Sequence, residues 1–160
     1  MRELAFAVIA LQALFMLVDE ARFHRRRGLP RWERIGHPID TASVLACCCV
    51  TVVFEPTPRS LWLYAALGIG SCLLVTKDEF VHSRHCEPME HWLHAMLFIL
   101  HPLLLAALAV LWLQHERVVL TAQTLATFAF GAYQAIYWNA IASPVHRRPS
   151  RARVVHQGSE

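Results

Sequence analysis

The stretch KDEFVHSRHCEPMEHWLH, Lys77 to His94, decides how the rest of the chain is read. Its eighteen residues hold four histidines, three glutamates, an aspartate and a cysteine. The chain on both sides is apolar: LYAALGIGSCLLVT leads in, and AMLFILHPLLLAALAVLWL leads out. A knot of metal-liking side chains between two lipid-soluble runs predicts a helical hairpin whose turn carries chemistry.

A similar stretch, VDEARFHRRRGLPRWERIGH, occupies Val18 to His37. Asp19-Glu20 matches Asp78-Glu79, His24 matches His82, Pro30 matches Pro88, Glu33 matches Glu90, and His37 matches His94. Each match falls at the end or start of an apolar segment. Such self-similarity marks an internal repeat. Each half reads as helix, acidic-histidine stretch, helix.

The 160 residues suit one domain, and 56% of them are hydrophobic against 17% charged, an unusual balance for a soluble protein. Five segments approach the roughly 20 apolar residues that cross a bilayer. They are Leu4–Val18 (extendable to Phe23), Pro38–Phe54, Leu61–Thr76, Trp92–Leu113 and Val118–Ile141. A soluble bundle would need polar faces, and almost none is left on the second half of the fourth segment. A cleaved signal peptide would need a small-residue cleavage site, and the first segment ends in Asp19-Glu20 instead. The expected fold is therefore an all-α membrane protein of five transmembrane helices. Two parallel helical-hairpin repeats form a four-helix bundle, with a fifth helix added. The transmembrane domain covers residues 1–145, with repeats at about 4–54 and 61–113 and the fifth helix at about 118–142. Residues 146–160 read as a basic, disordered tail.

Charge sets the expected orientation. Of fifteen Lys and Arg, twelve fall in the first loop, the third loop and the tail, leaving Arg2, Arg59 and Arg117 for the other side. The positive-inside tendency then places the N-terminus outside and the C-terminus in the cytoplasm. The net charge of +3 is absorbed by anionic lipid head groups rather than nucleic acid. Cys47, Cys48, Cys49 and Cys72 sit inside apolar segments and read as small packing residues.

Residues three or four apart share a helix face. Glu20 and His24, Glu33 and His37, and Glu90 and His94 are each four apart, and Glu79 and His82 are three apart. Four helices could then each present one carboxylate and one imidazole to a common axis, a donor set suited to two transition metals. Asp19, Asp40, Asp78, His85, Cys86 and His91 stand close by as supporting groups or alternative ligands. Asp19 and Asp78 sit one residue before the glutamates and so should point about 100° away. His101 lies on the stripe of His94, and with Leu97 and Phe98 it is expected to line a pocket. Tyr133, Tyr137 and Trp138 fit first an interfacial aromatic belt; Tyr133 and Tyr137, four apart, could also line one wall of the pocket.

This arrangement resembles the histidine-rich integral-membrane di-iron hydroxylases and desaturases. The resemblance implies two metals at the cytoplasmic face of four helices and oxidation of lipids or hydrocarbons by dioxygen. It is a likeness of layout: their His-x-x-His-His boxes are absent, and the nearest pieces are HSRH (His82–His85) and EHWLH (Glu90–His94). Glu20, His24 and His37 are also similar in spacing to the Asp-x3-His-x12-His copper site in a membrane subunit of particulate methane monooxygenase, with Glu in place of Asp.

The function expected is a metal-dependent membrane oxidoreductase holding two ions, iron first, with zinc, manganese or copper as alternatives. Its partners would be a lipophilic substrate and an external electron donor, since no nicotinamide or flavin fingerprint is present. The alternatives are a zinc-dependent hydrolase acting on a lipid and a non-enzymatic metal-binding, transport or complex subunit.

Overall fold

The computed structural model describes residues 1–78 and 87–142, apart from the side chain of Asp78. Among the described residues the chain is all-helical, with five main helices and no strand. Helix α1 runs Arg2–Arg27, α2 Arg31–Val53, α3 Pro58–Val75, α4 Pro88–Leu113 and α5 Arg117–Ile136. The helices begin earlier than the apolar runs do. The Glu33–His37 and Glu90–His94 pairs therefore lie in the first turns of α2 and α4, not in loops.

The helix ends follow local chemistry. At Gly28 the backbone takes φ 74°, a conformation natural to glycine, and Pro30 then leads into α2. This short link holds the end of α1 close to the start of α2. The Thr57 hydroxyl accepts from the Ser60 amide, the Ser60 hydroxyl accepts from the Thr57 amide, and Pro58 occupies the first turn of α3. α1 and α5 each widen into a π-turn, at Asp19–His24 and Tyr137–Ile141.

Four helices, α1 to α4, are long and apolar enough to cross a membrane. α5 has the length but not the apolarity, because Thr121, Gln123, Thr124, Thr127 and Gln134 interrupt it. Large apolar side chains face outward along the helices, among them Leu11, Leu14 and Leu17 of α1, Trp62 and Ile69 of α3, and Leu125 and Phe128 of α5.

α1 packs along α4, and α2 packs along both α5 and α3. The expected hairpins thus pack mainly across one another, α1 on α4 and α2 on α3, with α3 and α4 also in contact. A two-fold axis exchanging α1 with α3 and α2 with α4 would map the α1–α4 packing onto the α3–α2 packing. α5 is not an appendage: its packing on α2 is the most extensive in the molecule.

The apolar core fills the end of the bundle away from the histidines. Leu108, Leu111, Trp112 and Leu120 are almost wholly enclosed there, with Cys47 and Cys48 among them as small packing residues. Cys49 is exposed and Cys72 half-buried, and all four thiols are free. Trp112 donates its indole N–H to the Phe54 carbonyl at 2.9 Å, and Tyr64 donates to the Leu105 carbonyl at 2.6 Å.

Candidate metal centre

At the opposite end, the last turns of α1 meet the first turns of α2 and α4. Asp19, Glu20, His24, Glu33, Glu90 and His94 are all buried there, Glu33 to 0% exposure and Glu90 to 1%. Glu33 and Glu90 are each the third residue of a helix, where a carboxylate is favoured by the helix dipole.

The π-turn decides which α1 residues face this cluster. In a π-helix, residues five apart take the relation that residues four apart have in an α-helix. Asp19 and His24 are five apart, and the Asp19 carboxylate lies 3.2 Å from His24 Nε2. The same carboxylate sits 3.1 Å from His94 Nε2. The expectation that Asp19 points about 100° away assumed regular α-helix, and the wide turn corrects it.

Two sets of donor atoms result. One ligand atom each from Asp19, His24, Glu90 and His94 lie within 4.8 Å of one another, and so do atoms from His24, Glu33 and His37. His24 belongs to both. Its ring stacks on His37 with centroids 4.9 Å apart and lies 5.9 Å from the ring of His94. Imidazole with carboxylate is a donor set suited to iron, zinc or manganese.

Charge points the same way. Asp19, Glu20, Glu33 and Glu90 are four buried carboxylates, and the guanidinium built in among them is Arg27. It donates to Glu33 at 2.8 Å and to Glu90 at 2.9 Å. Burying uncompensated charge is expensive. Protons on the histidines or bound cations would neutralise the remaining negative charge.

Glu20 is held apart from both sets. Tyr133 donates its hydroxyl to Glu20 Oε1, Trp138 donates its indole N–H to the same oxygen at 3.1 Å, and His24 Nδ1 lies 3.4 Å from Oε2. Arg25 in turn donates to the Tyr133 hydroxyl at 3.3 Å. Trp138 is 2% exposed, so burial against a carboxylate replaces the expected aromatic-belt role.

Comparison of the chain with protein-family models, with curated proteins and with solved structures gives no match.

The cluster opens onto a cavity of about 350 Å³. Leu97, Phe98 and His101 line it below His94, together with Gln12, Met16, Thr41, Gln123 and Gln134. His101 Nε2 is 2.9 Å from the Ser71 hydroxyl. Asp40 lines the cavity and pairs with Lys77. Tyr133 lines a separate small recess beside Glu20 and Arg25, and Tyr137, stacked on Tyr133, lines neither space. His91 is half-buried and lies in neither donor set. Glu79, His82, His85, Cys86 and the side chain of Asp78 lie outside the described residues.

Arg27, Trp138 and Gln12 were not picked out as site residues from the sequence. Arg27 sits in a run of three arginines, where composition does not distinguish it from its neighbours. Gln12 had a signal available: an amide in the middle of an otherwise apolar run.

Proposed function

We propose that this protein is an integral-membrane, metal-dependent oxidoreductase. It binds two transition-metal ions, iron first, and oxidises a lipophilic molecule with dioxygen. The observation that carries this reading is the pair of donor sets sharing His24 at the head of a cavity with largely apolar walls. The outward rows of leucine, tryptophan and isoleucine support a bilayer setting. The arginine distribution supports an N-terminus outside and the cluster at the cytoplasmic face. In this reading the two hairpins are parallel repeats about a membrane-normal axis and α5 is a fifth span. A bound ion pair would supply the site for dioxygen. An external donor would deliver two electrons and the solvent two protons, one oxygen atom entering a C–H bond of the substrate as a hydroxyl and the other leaving as water. Asp19, His24, Glu33, His37, Glu90 and His94 would hold the ions.

Metal analysis of detergent-purified protein, with an optical spectrum, tests this. Two irons per chain are expected. Zinc in their place would turn the reading to hydrolysis, and a metal-free protein would remove both. Cysteine labelling from outside the cell tests the orientation: a probe beside Arg59 should react and one beside Gly28 should not.

A further inference from the structure

Among the described polar side chains that line the cavity outside the cluster, Gln12 is the one whose Oε1 lacks a hydrogen-bond partner. Thr41 donates to Gln134 at 2.6 Å, Gln123 donates to Thr127 at 3.2 Å, His101 meets Ser71, and Asp40 meets Lys77. The carboxylates and histidines of the cluster contact one another, and Glu20 is held by Tyr133 and Trp138. Gln12 is 6% exposed, lines the cavity, and its Oε1 has no hydrogen-bond partner. A buried acceptor left without a partner costs free energy that a ligand's donor would recover. A half-turn about χ3 exchanges the amide oxygen and nitrogen in nearly the same volume, so either atom can face the cavity.

The position of Gln12 narrows the class of ligand. Gln12 lies seven residues before Asp19, about 10 Å along α1 from the cluster. It is also near the middle of Arg2–Arg27, at the depth of the hydrocarbon core in the proposed orientation. A zwitterionic or anionic head group is excluded at that depth by its own desolvation. A hydroxyl is suited to it, because it can donate to Oε1 and accept from Nε2. α1 and α5 line the cavity from two sides without being closely packed on each other, and a lipophile entering from the bilayer would pass between them.

We infer that the cavity takes a lipophilic alcohol, its hydroxyl held by Gln12 and its hydrocarbon chain extending toward the cluster. This rests on the cavity being the substrate site of the proposed oxidoreductase, and it places the oxidised carbon at the end of the molecule remote from the hydroxyl.

The full chain in lipid nanodiscs is labelled with a dodecanol carrying a diazirine in its chain, and the labelled residues are mapped by mass spectrometry. Dodecanol and dodecane compete at equal concentrations in the bilayer. Label is expected on Met16, Leu97 and Phe98, with dodecanol displacing it at about tenfold lower concentration than dodecane, the value of one buried hydrogen bond. Gln12→Leu should keep the label but lose that preference. Equal displacement by alcohol and alkane in the unmutated protein, or an unchanged preference in Gln12→Leu, overturns the role of Gln12 and leaves the cavity as a lipophile site. Absence of competed label from the cavity overturns both the alcohol and the substrate site. The metal content, measured separately, is untouched by either failure.

Discussion

The two ends of the bundle are built from opposite materials. At one end Leu108, Leu111 and Trp112 pack with Cys47 and Cys48, and the buried polar groups there, among them Tyr64, Trp112 and Thr51, donate to backbone carbonyls. At the other, four carboxylates, three histidines and Arg27 crowd together. Ionisable groups facing into a membrane bundle are costly and mark function. The buried apolar side chains thus gather at one end and the buried ionisable ones at the other.

The strongest way to break that division is at His24. It belongs to both donor sets, so His24→Ala should bring metal content to background while the protein remains folded in the membrane. Metal analysis and a melting curve check this. Retention of one ion per chain would mean that the two sets are independent.

Next in size are Glu33→Ala and Glu90→Ala. Both carboxylates are held by Arg27, so each change should lower metal content and destabilise the protein by about 3 kcal/mol, the low end for breaking a buried ion pair, because Arg27 keeps its other partner. The two variants should behave alike. If one binds metal normally and the other binds none, the equivalence of the two helix starts is wrong.

Trp112→Phe tests the other end. It removes the 2.9 Å bond to Phe54 and leaves that carbonyl without its indole donor. A loss of about 1–2 kcal/mol is expected in thermal unfolding, with metal content unchanged. Lost metal would couple the two ends.

The smallest effect is expected from Tyr133→Phe. Glu20 would keep the Trp138 donor, so stability should fall by about 1 kcal/mol or less. Metal stoichiometry should hold, because Glu20 lies in neither donor set. Metal loss here would move Glu20 into the site.

The parts of this division that depend on local spacing were legible in the sequence. Glu33 with His37 and Glu90 with His94 are four apart, and the structure places both pairs in first turns at the same end. The Leu97–Phe98–His101 face follows from the same arithmetic. Spacing failed where the backbone leaves the α-helical period: across the wide turn Asp19 faces His24 and His94, and Glu20 meets Tyr133 and Trp138. Partner choice between distant segments was not legible either. Nothing in RRR identifies Arg27 as the residue that joins Glu33 to Glu90, and nothing in YQAIYWN shows that Trp138 turns inward to Glu20. The dominance of the α2–α5 packing was hidden for the same reason, since α5 carries the weakest apolar signal of the five.

The wide turn at Asp19–His24 makes α1 a rod carrying two stripes out of phase. Before it, Leu11 and Leu14 face outward; within it, Asp19 and His24 face the cluster. One residue corresponds to 100° of rotation on a regular helix, so the offset between the stripes is stored in a single extra residue. Removing one residue inside the turn would restore the α-helical period and swing the stripes apart, with no change in the composition of either. An insertion on the lipid side would shift the other stripe by the same angle. The register of α1 therefore depends on the count of its residues as well as on their identity.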